Sequence, residues 1–66
     1  MKNRIAELRR ERGLTQQAVA ELLHVSRQTV ISLESGKYNP SIFMAWRIAR
    51  LFERTIEEVF IFEEEE

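Results

Sequence analysis

The chain contains no cysteine, one histidine and one proline among its 66 residues. Each shortage removes a class of protein. Without cysteine there is neither a disulfide framework nor a thiolate metal site, the two usual staples of a domain this small. No apolar run approaches the roughly 20 residues that a transmembrane helix needs. The opening residues Met1, Lys2, Asn3 and Arg4 lead into charged sequence rather than into the apolar stretch of a secretory signal, so a cytoplasmic protein with no membrane association is expected. With a single histidine, no metal-ligand cluster and no glycine-rich phosphate loop, there is little from which to build an active site. No enzyme activity, no cofactor and no metal are therefore expected.

What is present is globular in character, with 44% hydrophobic and 32% charged residues. A chain this short holds one domain and a thin core, which leaves self-association as the remaining route to further burial. The net charge of −1 conceals a lopsided distribution. Residues 1–50 carry nine basic side chains against four acidic ones (Glu7, Glu11, Glu21, Glu34), whereas residues 51–66 carry Arg54 against seven glutamates. A basic surface is thus free to meet a polyanion while the acidic end points away.

Capping and stop signals divide the chain into five short helices. Asn3 is placed to cap the first, in which Ile5 and Leu8 share a face before Gly13 supplies a left-handed stop. Thr15 caps the second, where Val19, Leu22 and Leu23 fall at i, i+3 and i+4. Ser26 caps the third, which buries Val30 and Leu33 and ends at Gly36; a loop through Lys37, Tyr38, Asn39 and Pro40 follows. Ser41 starts the fourth, with Ile42, Ala45, Ile48, Ala49 and Phe52 on one face and Phe43, Arg47 and Arg50 nearly opposite. Thr55 and Glu58 stand at capping-box spacing for a last helix through Ile56, Val59 and Phe60.

The spacing across the second and third helices carries the functional signal. Small Ala20, the turn residue His24 and apolar Val30 and Leu33 fall where a helix-turn-helix needs them: a close crossing, a sharp bend, and two anchors for a helix whose polar face stays exposed. Residues Gln16 to Leu23, followed by SRQTVISLESGKYNPS from Ser26 to Ser41, resemble the Cro and phage-repressor, or XRE-type, helix-turn-helix family. The resemblance covers nearly the whole chain and is nearest to short stand-alone members of the cytolysin-repressor kind. It implies an all-α fold, a compact five-helix lambda-repressor-like DNA-binding domain over residues 1–62 with the helix-turn-helix at 16–35. It leaves room for a short C-terminal strand and ends in an acidic tail at 63–66. His24 departs from the glycine or asparagine usual at the turn, and a positive φ there costs histidine roughly 1 kcal/mol.

The resemblance also distributes roles. Arg27, Gln28, Ile31 and Ser32, on the exposed N-terminal half of the third helix, are expected to meet base edges. Arginine suits guanine O6 and N7, glutamine suits adenine N6 and N7, and isoleucine suits a thymine methyl group. The alternatives are a solvated polar face and, for Ile31, packing against the second helix. Gln16, Gln17, Thr29 and Lys37 are expected at phosphates, which fix register without reading sequence. Arg9, Arg10 and Arg12 either add long-range attraction or form an ordinary solvated face. A twofold axis is expected near Tyr38, Asn39, Ile61 and Phe62, with Phe43 either part of that interface or a lone exposed aromatic. The expected function is a regulator, as a repressor, binding double-stranded DNA as a homodimer at a near-palindromic operator. A protein-interaction module of the antitoxin kind, with incidental DNA binding, is the competing reading.

Overall fold

The computed structural model describes residues 1–62, so the acidic tail assigned to residues 63–66 lies outside the described residues. Five helices follow one another: α1 (Ile5–Glu11), α2 (Gln16–Leu23), α3 (Arg27–Ser35), α4 (Ile42–Leu51) and α5 (Ile56–Val59). The chain is all-α.

Four of the five helices begin on a hydroxyl. Thr15, Ser26, Ser41 and Thr55 adopt extended backbone, and each side-chain oxygen accepts the N–H three residues on, from Ala18, Thr29, Met44 and Glu58 respectively. One otherwise orphaned donor is satisfied at each start. At Thr55 the box is reciprocal, because the Thr55 N–H donates to Glu58 Oε1 at 2.8 Å. The first helix differs from the sequence expectation. Its cap position is Arg4, which makes no side-chain cap bond, and the Asn3 carboxamide oxygen instead accepts the Ile5 N–H from one residue further out at 3.0 Å. The Asn3 amide also donates to the Leu33 carbonyl at 2.8 Å, so this residue ties the entry of α1 to α3.

The core is formed by one stripe from each helix: Ile5 and Leu8, Val19 with Ala20 and Leu23, Val30 and Leu33, Ala45 with Ile48 and Ala49, then Phe52, Val59 and Phe60. Fully buried Ala20 permits the close approach of α2 to α3 that the spacing called for, and α2 also packs against α4. Two assigned core residues are not in it. Leu22 is 52% exposed, because Gln16, Val19, Ala20 and Leu23 centre the inward face about 100° away around the helix. Ile42 is 80% exposed, since it occupies the first turn of α4 at the edge of the stripe.

Among the described residues the C-terminal segment reaches a single antiparallel bridge, Asn3 to Phe60, rather than a strand. Arg4 N–H donates to the Val59 carbonyl and Ile61 N–H to the Lys2 carbonyl, so the two ends of the described chain are stitched side by side. Phe60 leaves α5 in extended conformation (φ −107°, ψ 134°) and buries its ring, ending the helix one residue before the sequence pattern suggested.

Candidate DNA interface

The bend between α2 and α3 turns on His24, which takes φ 60° and ψ 43° while its N–H bonds back to the Ala20 and Glu21 carbonyls. This is the left-handed conformation expected of the turn residue. Val25 then returns its N–H to the Ala20 carbonyl at 2.9 Å, and Ser26 opens α3. Val30 and Leu33 are buried, which fixes the rotation of α3 about its own axis. Arg27 and Gln28 consequently stand exposed on the first turn, while Ile31 and Ser32 are half-buried on the next. All four proposed base-reading residues lie on the solvent side of α3, with the isoleucine partly sheltered.

The residues expected at phosphates are arranged less uniformly. Thr29 places its hydroxyl 2.9 Å from Ser26 Oγ, so the two form one polar group at the start of α3. Lys37 is exposed just after Gly36, whose φ of +80° favours glycine and where a Cβ would come 3.0 Å from the Met1 carbonyl oxygen, a tight approach. Gln17 donates to Glu21 across one helical turn at 3.3 Å. Gln16 donates inward to Glu34 Oε1 at 3.0 Å. At both glutamines the backbone N–H, at the beginning of α2, has no intrahelical acceptor and remains available to an anion.

Glu34 is a residue whose structural task the sequence reading did not foresee. Its carboxylate receives Arg9 Nε at 2.7 Å as well as the Gln16 amide, with the two charged side chains only 12% and 9% exposed. A second Arg9 nitrogen donates to the Leu14 carbonyl at 3.0 Å. Arg9 is therefore not part of a solvated steering face; it locks α1, the α1–α2 turn, the start of α2 and the end of α3 together. Arg12 is likewise committed, donating to the Phe52 carbonyl at the end of α4 and to Glu53 Oε1. Arg12 nevertheless stays exposed, as does Arg10 on α1, so these two keep the solvated character expected of them. The available signal was that Glu34 is the single acid between Glu21 and Glu53, yet periodicity cannot pair residues 25 apart.

The residues assigned to a twofold axis fall in different places. Asn39 and Phe62 line one apolar groove together with Pro40, Ile42, Ile56 and Phe60. The Asn39 side chain also accepts from the Met1 ammonium at 3.2 Å. Ile61, 38% exposed, sits on the neighbouring surface beside Lys2 and Asn3. Tyr38 is elsewhere: it shares a shallow depression with Ser26, Gln28, Thr29 and Ser32, beside the start of α3. Phe43 stacks on Trp46 on the far side of α4.

This geometry, a capped and doubly anchored α3 presenting polar side chains beyond a left-handed turn, agrees with the match of residues 5–59 to the helix-turn-helix family HTH_3. The chain belongs to that Cro/repressor, XRE-type family. It is 48% identical over 66 residues to an HTH-type transcriptional regulator of Archaeoglobus fulgidus, covering 100% of this chain and 94% of that protein. It is 38% identical over 61 residues to the HTH-type transcriptional activator BcrR of Enterococcus faecalis, covering 92% of this chain and 30% of that protein. Among solved structures, the restriction-modification controller protein C.AhdI of Aeromonas hydrophila superposes with a TM-score of 0.77 at 32% identity, covering 86% of each chain. The five-helix architecture is thus that of a known regulator, and the chain is a DNA-binding transcriptional regulator. No helix among the described residues is long and apolar enough to cross a membrane.

Proposed function

We propose that the chain is a homodimeric repressor that reads a near-palindromic operator with Arg27, Gln28, Ile31 and Ser32 of each α3. The observation that carries this reading is the pairing of buried Val30 and Leu33 with exposed Arg27 and Gln28 on one short, capped helix. The anchors fix which face is presented, and that face holds the two side-chain types best suited to bidentate base recognition. Ser26, Thr29 and Lys37, with the backbone N–H groups at the start of α2, supply phosphate contacts around it. Tyr38, beside Gln28 and Thr29, joins this set in preference to the twofold axis.

A single α3 spans only a few base pairs, too few to select one site in a genome, so a second copy is needed. The groove of Asn39, Pro40, Ile42, Ile56 and Phe62 offers the apolar surface for it. Repression follows if the dimer occupies the space polymerase requires. The test is selection of bound sites from randomised duplex DNA at stated salt, followed by a reporter carrying the selected site across its promoter. The expected result is an inverted repeat with half-sites about 34 Å apart and reporter output that falls with the protein. An unstructured pool of selected sequences defeats the base-reading assignment, and output that rises with the protein replaces repression with activation.

A further inference from the structure

The outer face of α4 carries a second apolar surface that the DNA-binding reading leaves unused. Phe43 is 62% exposed and Trp46 46%, and their rings stack with centroids 5.9 Å apart. Leu22, displaced from the core on neighbouring α2, borders the same depression as Trp46. That depression, about 330 Å³ in volume, is lined by Leu22, Leu23, Trp46, Arg47, Arg50 and Leu51, which are four apolar side chains, two cations and no anion. Both cations lie over aromatic rings of the same helix. The Arg47 guanidinium lies 6.0 Å from the Phe43 ring centroid and that of Arg50 lies 5.1 Å from the Trp46 centroid.

Single exposed apolar residues need no account, but several contiguous ones rimmed by charge of one sign mark a docking surface. Three occupants compete on chemical grounds. A second copy meeting this face about a twofold axis brings Arg47 and Arg50 against their own equivalents, a like-charge contact with no anion in the lining to relieve it. A nucleic-acid backbone satisfies the arginines yet leaves Leu22, Phe43 and Trp46 facing phosphates. A segment that alternates apolar and acidic side chains satisfies both. Guanidinium groups resting on rings have their mobility reduced while their N–H edges stay open to carboxylates. We propose that the α2–α4 face docks an acidic amphipathic segment of another protein, laid in the groove with its apolar side chains against Leu22 and Trp46 and its carboxylates on Arg47 and Arg50. The proposed base-reading side chains belong to α3, so the two sites use different residues.

Trp46 is the chain's sole tryptophan and sits in the proposed site, so it reports occupancy without a label. The probe is a synthetic amphipathic peptide with leucine and phenylalanine on one face and glutamate on the other, titrated into the full chain without DNA. The expected result is a saturable blue shift of Trp46 emission. Arg47→Glu combined with Arg50→Glu should weaken binding by about tenfold or more, and so should Leu22→Ser, each with circular dichroism of the wild-type form. Equal binding of a peptide with lysine in place of glutamate overturns the proposal, as does undiminished binding by the charge-reversed variant or no saturable shift at all. Displacement of the bound peptide by a random-sequence duplex gives the face to nucleic acid. Conversion of a dimer to a monomer by Phe43→Ser gives it to a second copy. Either result ends the proposal while leaving the operator-binding reading standing.

Discussion

Burying a carboxylate costs several kcal/mol unless donors surround it, and Glu34 is surrounded by Arg9 and Gln16. Removing one partner of such a pair is worse than removing both, because the survivor, Arg9, stays largely withdrawn from water with only the Leu14 carbonyl to receive it. Glu34→Ala should therefore lower stability by about 3 to 5 kcal/mol, with the Arg9→Leu, Glu34→Leu double replacement costing clearly less. Urea denaturation midpoints of the two variants provide the comparison, and a double variant no more stable than the single one contradicts this account of Arg9. Residues facing DNA obey a different logic. Gln28 is exposed on the first turn of α3, so Gln28→Ala should leave stability nearly unchanged and relax base preference at one position per half-site by about 1 to 3 kcal/mol. Lys37→Ala should weaken binding to all sequences alike and reduce the salt slope by roughly one unit. Binding curves for matched and mismatched duplexes at several salt concentrations separate the two effects. An unchanged selected motif for Gln28→Ala removes that residue from base reading.

Helix starts were legible in the sequence because a cap is a local contract between one hydroxyl and an N–H three residues later, and Thr15, Ser26, Ser41 and Thr55 all fulfil it. The left-handed turn at His24 was legible for a similar reason, the apolar anchors on either side allowing no other place for the bend. Glu53 adopts a positive φ of 56° without a glycine or asparagine to announce it; its conformation follows from the need to turn α4 back into α5, a tertiary demand. Leu22 and Ile42 show the same limit. Periodicity gives the angle of a side chain about its helix but not the length over which a neighbouring helix covers it. The capping box of α5 can be titrated. The Thr55 N–H holds the Glu58 carboxyl below its ordinary value of 4.5 against an opposing effect of desolvation, with the Thr55 side chain, Arg54 and Arg4 assisting. A lowered folded-state value means stabilisation that is present above the ordinary value and lost as pH falls through the depressed one. Glu58→Gln retains the cap hydrogen bond but not the charge. The melting temperature of the wild type should exceed that of the variant at neutral pH, and the gap should close as the solution is acidified below pH 4.5. A gap independent of pH removes the carboxylate charge from the explanation.

At the scale of the molecule, the two exposed apolar regions, one between α2 and α4 and the other between α4, α5 and the residues around Asn39, call for different occupants. The groove containing Ile42, Ile56 and Phe62 is lined without a charged side chain, and the one charge beside it, the Met1 ammonium, is already taken up by Asn39 and the Gly36 carbonyl, so a twofold copy meets less electrostatic opposition there than at the arginine-rimmed face. A standard interface removes about 800 Å² from each partner, about a sixth of this chain's 4716 Å². The groove must therefore be extended by neighbours, and half-exposed Ile61 on the adjoining surface is placed to do so. Because an isologous contact uses each residue twice, a polar substitution is felt twice per dimer. Ile42→Ser with Phe62→Ser should shift the protein toward monomer and make its melting temperature insensitive to concentration, whereas the wild type should melt higher as concentration rises. Both side chains are more than half exposed, so the isolated monomer should lose little of its own stability. Sedimentation equilibrium at tens of micromolar without DNA decides the matter. A wild-type monomer under those conditions leaves DNA to assemble the pair, while a dimer indifferent to both substitutions moves the axis away from this groove. The operator carries an independent reading of the same geometry, because half-sites selected at one fixed spacing require two copies held at one fixed distance, and a pool with variable spacing requires a flexible pair.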